Sequence, residues 1–353
     1  MVFLILTCLI LVNGCSKQEE TLKPVISLID ATERKIAFTS YPDDIVIAGK
    51  QTPMLANFAY LFEGSAKIIS AIENRSQSAS EFLSIVDKDY DKKAILELGA
   101  GAEQISPLEP EAVILKSTMK EQIGDQLETV GIEPVYVSFE TIDEIYRDLE
   151  ILGRLFNDHK KSEEVISFYQ DKKLSIDQLV AESETETDIL VIQVKEIGEK
   201  FIYSVPPIIW LQTAMIQELK ANAVWTDDIA SGGWMEVNLE QIFQWQPEMI
   251  VIINYKGKAP EIINAIKTDE LWGSFLSENK AEILPFVYDF QSWDQPDPRW
   301  ILGYANLAHY LYRDTIGSDI IYEIVEEFYS QFYGITQNII EDQILPTIKS
   351  QVE

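Results

Sequence analysis

Glu103-Gln104-Ile105-Ser106-Pro107-Leu108-Glu109-Pro110-Glu111 stands in the first half of the chain, and Glu240-Gln241-Ile242-Phe243-Gln244-Trp245-Gln246-Pro247-Glu248 in the second. Both read Glu-Gln-Ile, two residues, a large apolar residue, one residue, then Pro-Glu. Each runs into a short apolar stretch, residues 112–115 and 249–253, with the composition of a buried strand. Five identical positions in register, in the same context, mark a unit that occurs once per half. Between the copies, residues 159–182 contain neither Gly nor Pro. Their apolar side chains (Val165, Ile166, Phe168, Tyr169, Leu174, Ile176, Leu179, Val180) are spaced for one buried helical stripe. Two similar lobes joined by one rigid helix are expected.

Working outward, short apolar runs alternate with amphipathic segments. Residues 36–38, 45–48, 112–115, 134–137, 189–194, 249–253 and 283–287 read as strands, and residues 53–62, 141–156, 261–267 and 300–312 as helices. Thr52 followed by Pro53 reads as an N-cap and first helical residue, and Thr141 with Glu144 as a capping box. The pattern predicts an α/β protein whose two Rossmann-like lobes carry mainly parallel sheets. The expected boundaries are 26–158 for the N-terminal lobe, 159–183 for the connecting helix, and 184–353 for the C-terminal lobe with acidic helices at its end. A ligand cleft is expected between the lobes.

Charge and cysteine content narrow the function. Fifty-eight acidic residues face 28 basic ones, a net charge of −30, which repels phosphate backbones and excludes nucleic acid as a partner. Residues 1–14 are uncharged and mostly apolar, too short to span a bilayer but suited to a signal peptide. They end in Val12-Asn13-Gly14-Cys15, which resembles a bacterial lipobox, so Cys15 is the expected lipidation site and residues 15–25 a tether. Cys8 lies inside the signal segment, so a mature chain holds one thiol and neither a disulfide nor a cysteine zinc site.

Nothing in the pattern points to an enzyme or to a metal held by protein ligands. The two histidines, His159 and His309, are far apart, and no Gly-x-Ser-x-Gly elbow is present. Gly99-Ala100-Gly101-Ala102 lacks the remaining positions of a phosphate-binding loop. Binding residues are better supported. Lys50, Gln51 and Thr52 follow the strand at 45–48, where a helix start offers backbone N–H groups beside a cation; Tyr41 lies in the loop before it. All seven tryptophans lie beyond residue 200. Trp245 and Trp300 read as core, whereas Trp234 after two glycines and Trp293 in a Pro-rich loop suit a ligand face. Pro206-Pro207 reads as a rigid loop presenting Tyr203 and Ser204. Arg299 suits either a ligand anion or an ion pair with Asp294 or Asp297.

Taken together, Tyr203-Ser204-Val205-Pro206-Pro207, Gly232-Gly233-Trp234, both Glu-Gln-Ile segments and residues 292–303 (Ser-Trp-Asp-Gln-Pro-Asp-Pro-Arg-Trp-Ile-Leu-Gly) give the chain its likeness. It resembles the substrate-binding proteins of ABC importers for iron complexes, siderophores and cobalamin, from about residue 26 to residue 329. The resemblance implies an extracytoplasmic monomer, held to a membrane through Cys15, that delivers a small molecule to a permease and its ATPase. It implies an iron-chelate-type ligand (siderophore, haem or corrinoid-like) and no cofactor other than that chelate. It also implies that Glu103 and Glu240, at the tips of the lobes, dock against the permease. Each glutamate equally suits the first turn of a short helix, where the dipole favours an acid. A lipid-anchored sensor or surface receptor that binds without transport would share the same fold and cleft.

Overall fold

The computed structural model describes residues 24–74, 79–183, 187–198, 200–229 and 232–353. The expected signal segment, Cys15 and the tether up to residue 23 lie outside the described residues.

The first lobe is built on a five-stranded sheet in the spatial order Ala94–Leu96, Ile69–Glu73, Ile45–Ile47, Ala112–Lys116, Glu133–Val137, parallel throughout. Strands covered on both faces tolerate continuous apolar runs, and Ile45, Val46, Ile47, Val113, Ile114 and Leu115 are fully buried. The sequence reading missed Ile69–Glu73, whose Ser70 and Glu73 interrupt the apolar run, and the short edge strand Ala94–Leu96. A two-stranded antiparallel sheet, Ile26–Ile29 with Lys35–Phe38, stands apart.

The second sheet runs Met235–Val237, Lys200–Val205, Asp188–Ile197, Met249–Ile253, Glu282–Pro285, with Asn222–Ala223 also pairing Asp188–Ile197. It is mixed, with three of its five pairings parallel. Asp188–Ile197 lies parallel to Met249–Ile253 but antiparallel to Lys200–Val205, which is in turn antiparallel to Met235–Val237. The cause is local. The ten-residue strand outruns the core, its last three residues are exposed, and Gly198 at φ 62° turns the chain back into a hairpin.

The repeated segments fold alike. Gln104 accepts a bond from the Gly101 N–H (2.9 Å) and Gln241 from the Asn238 N–H (3.1 Å), each closing the first turn of its helix. Ile105 and Ile242 are both fully buried. Glu109 (φ 50°) and Gln246 (φ 47°) both take the left-handed conformation that ends the turn. Glu111 then accepts from the Asp43 N–H, and Glu248 from the Asp188 N–H. Most of the repeat is therefore spent on the fold, while its first glutamate stands exposed in the first turn of a short helix.

The connecting helix, His159–Leu179, spans 21 residues, about 32 Å at 1.5 Å per residue. Asp158 caps it by accepting from the Lys161 N–H at 3.1 Å. Val165, Phe168, Tyr169 and Ile176 are buried, whereas Leu174 and Leu179, counted into the stripe from sequence, stay exposed. A second connection comes from the far end of the chain. The helix Ser318–Tyr333 belongs to the second half in sequence, yet Tyr333 donates to the Asn57 carbonyl at 2.8 Å and sets its ring edge-on to Phe82 at 4.8 Å. Both of those partners lie in the first lobe.

Candidate functional site

A cleft of about 530 Å³ opens between the lobes at the carboxyl ends of central strands. From the first lobe it is lined by Lys50, Gln51, Met54, Leu98 and Glu140. The strand Ile45–Ile47 gives way to Gly49 (φ 83°), Lys50 and Gln51 (φ 57°) before the helix Thr52–Ala59 starts. A Cβ on Gly49 would lie 2.9 Å from Met119 Cγ, so this turn requires glycine. Gln51, a non-glycine residue in the left-handed region, is strained, which is common where a loop must present a binding group. The buried carboxylate of Glu73 ties the rim together, accepting from the Gly49 N–H at 2.6 Å and the Gly99 N–H at 2.8 Å.

The second lobe supplies Gln193, Lys195, Trp210, Gln212, Trp234 and Tyr255. The three aromatic rings form one wall. Trp234 sits edge-on to Trp210 with centroids 5.7 Å apart, and edge-on to Tyr255 at 6.2 Å. Pro206 and Pro207 do make a rigid loop, because Trp225 Nε1 donates to the Pro206 carbonyl at 2.8 Å and Thr213 Oγ1 to the Pro207 carbonyl at 3.0 Å. What the loop presents is Trp210. Behind the wall, Gln212 Nε2 and the Tyr255 hydroxyl both donate to Asp294 Oδ2 at 2.9 Å. Burial pushes the Asp294 carboxyl above the ordinary carboxylate range, partly offset by the bonds it accepts from Gln212, Ser292 and Tyr255. Glu140 forms an ion pair with Lys116 at 2.7 Å, so its charge is largely spent inside the first lobe. Burial holds the Lys116 ammonium below its usual pKa, against the pull of Glu140.

Several candidates lie elsewhere. Thr52 is fully buried and is the first residue of its helix, with Gln51 at the cap position. Tyr41 is exposed but outside the cleft lining. Tyr203 and Ser204 are buried within the strand Lys200–Val205, and Tyr203 accepts from Trp272 Nε1 at 3.0 Å beside a different hollow. Trp293 is fully buried, donating from Nε1 to Asp289 at 3.0 Å. Arg299 takes the ion-pair alternative rather than a place in the cleft. Its side chain is fully buried, pairs with Asp297 Oδ1 at 2.8 Å and Asp289 Oδ1 at 3.3 Å, and covers the Phe82 ring at 4.1 Å. Asp294, the other partner considered for it, belongs to the cleft network instead. Of the nine residues proposed for the ligand, Lys50, Gln51 and Trp234 line the cleft. Glu103 and Glu240 are exposed in the first turns of their helices.

Gln193, Lys195, Trp210, Gln212, Tyr255 and Glu140 were not singled out from sequence. Two of them, Glu140 and Tyr255, follow the strands Glu133–Val137 and Met249–Ile253 within three residues, and a systematic search past strand ends finds both.

Two α/β lobes with a concave, mixed aromatic and cationic cleft at their strand ends define a bilobal solute-capture architecture. Residues 59–276 match the family model described as periplasmic binding protein, more than half of the chain, and the protein belongs to that family. Solved structures share the fold across nearly their whole length. A periplasmic solute binding protein from Veillonella parvula is 18% identical with a TM-score of 0.72, covering 92% of this chain and 98% of that one. A molybdate periplasmic binding protein of a Haemophilus influenzae ABC transporter is 16% identical with a TM-score of 0.70, covering 87% and 98%. The periplasmic vitamin B12 binding protein of Vibrio cholerae is 15% identical with a TM-score of 0.58, covering 77% and 97%. No curated relative matches the sequence.

Proposed function

We propose that the protein is the extracytoplasmic solute-binding component of an ABC importer, anchored through a lipidated Cys15, and that its cargo is a metal chelate of the siderophore, haem or corrinoid type. The observation that carries this reading is the cleft itself, where Trp210, Trp234 and Tyr255 face Lys50 and Gln51 across the two lobes. Aromatic rings offer rigid area to a conjugated body, and an ammonium group offsets its charge. A cleft of about 530 Å³ suits a molecule of chelate size. Among the described residues no cluster of three His, Cys, Asp or Glu side chains is placed to hold a metal ion. Exposed Glu103 and Glu240, one per lobe, suit a two-point contact with basic residues of a permease.

Titrating the soluble chain with ferric catecholates, ferric hydroxamates, hemin, cyanocobalamin and molybdate, while following tryptophan emission, tests the assignment. One chelate class is expected to change the signal saturably at a ratio of about 1:1, because Trp210 and Trp234 line the cleft. A flat response to every chelate, or saturation by molybdate alone, defeats it.

A further inference from the structure

Beside the cleft, and sharing Gln193, Lys195 and Tyr255 with it, lies a second chamber of about 390 Å³. Lys195, Lys256 and Lys258 line it, with Glu196 as the one acid among the described residues. Acids outnumber bases 58 to 28 along the chain, so three ammonium groups against one carboxylate invert the composition locally.

The lysines are also held in place. Asn254 follows the strand Met249–Ile253, donating from Nδ2 to the Val194 carbonyl at 2.8 Å. Its Oδ1 accepts from the Lys256 N–H at 3.0 Å and the Lys258 N–H at 3.1 Å, closing the turn that carries both side chains. Gly257 takes φ 69°, and a Cβ there would lie 2.9 Å from the Tyr288 ring, which fixes the turn from outside. Between the two chambers stands Gln193, only 3% exposed, whose Oε1 has no hydrogen-bond partner among the described residues. A buried amide left in that state is costly until a ligand supplies the bond.

We infer that this chamber is an anion subsite, receiving a carboxylate- or phosphate-bearing arm of the molecule whose flat body lies against Trp210, Trp234 and Tyr255. The inference rests on the cleft being the ligand site and adds that the ligand is bipartite, with its charge concentrated on an extension. The subsite also addresses a problem set by the whole chain. A field of −30 repels an anion at long range, and a basic island at the mouth offsets that repulsion.

Calorimetric titration with tricarballylate and with pyrophosphate tests the subsite without the chelate. The proteins compared are wild type, the Lys256→Gln/Lys258→Gln double variant, and Lys67→Gln/Lys267→Gln, which removes the same charge from exposed sites elsewhere. Wild type is expected to bind at least one of the two polyanions. The Lys256/Lys258 variant should bind it at least about tenfold more weakly, and the control within about twofold of wild type. The polyanion preferred identifies the arm as carboxylate or phosphate. No polyanion binding by wild type, or an equal loss in the control, overturns the subsite. The chelate panel answers separately. Polyanion binding that depends on these lysines, with no chelate bound, keeps the subsite and removes the cargo assignment. A chelate bound equally by wild type and the Lys256/Lys258 variant does the reverse.

Discussion

Replacing Arg299 with Met should destabilise the protein severely while leaving ligand affinity nearly intact. The guanidinium and both its carboxylate partners are almost fully buried, with side-chain exposures of 0% for Arg299, 1% for Asp289 and 0% for Asp297. Methionine preserves much of the volume over the Phe82 ring but leaves two carboxylates in the interior without a counter-charge. Breaking a buried pair in this way costs roughly 3–5 kcal/mol. At about 2 °C per kcal/mol for a chain this large, the melting temperature should fall by about 6–10 °C. Neutralising the stranded acids tests whether charge, rather than packing, is the cause. The triple variant Arg299→Met, Asp289→Asn, Asp297→Asn should recover most of the loss, since Trp293, Tyr329 and Asn57 can still donate to the asparagine oxygens. Circular dichroism melts of the three proteins give the answer. A single variant that melts within about 2 °C of wild type, or one that loses chelate binding while keeping its melting temperature, would refute the reasoning and return Arg299 to the ligand site.

Reversing Glu103 and Glu240 together to Lys should abolish uptake in cells while leaving chelate affinity and melting temperature within error, because both carboxylates are exposed; equal loss of binding would make them structural. Asp294→Asn should flatten the pH dependence of stability. A carboxyl raised by burial favours the folded state most below the ordinary carboxylate pKa, and that contribution is lost as pH rises through the raised value. The variant should therefore gain stability relative to wild type as pH rises above the ordinary carboxylate range, read from melts at a series of pH values. A constant offset at every pH would show that Asp294 does not titrate there.

The two-lobe plan is legible because it is carried by local, repeated chemistry. The Gln at the second position of each repeat caps its own helix, the Ile is core, and the closing Glu pins the strand entry, so sequence identity and geometry coincide. The mixed second sheet is less legible because one glycine, Gly198, decides between a crossover and a hairpin. The ligand face divides along the same line. Lys50 and Gln51 are readable because they follow a strand directly. Trp293 and Arg299 mislead because a Pro-rich, polar segment looks like a surface loop. Residues 292–299 are in fact entirely buried, and some of their polar groups bond partners far away in sequence, Tyr169 donating to the Pro298 carbonyl and Arg299 to the Tyr329 hydroxyl. Trp210, Gln193 and Lys195 carry no local signature, since their role is set by which strands and loops the tertiary fold brings to the cleft.

The return of the last long helix to the first lobe bears on the order in which the molecule can be finished. Asn57 bonds Asp297 across 240 residues and Tyr333 across 276. During synthesis the N-terminal half can form its parallel sheet early, yet the Phe82 face and the Asn57 side chain wait for almost the entire polypeptide. Closing so long a loop costs little extra free energy once the sheets exist, but it must come late. The half made first is thus completed last, and the two halves should melt as one cooperative unit rather than as two.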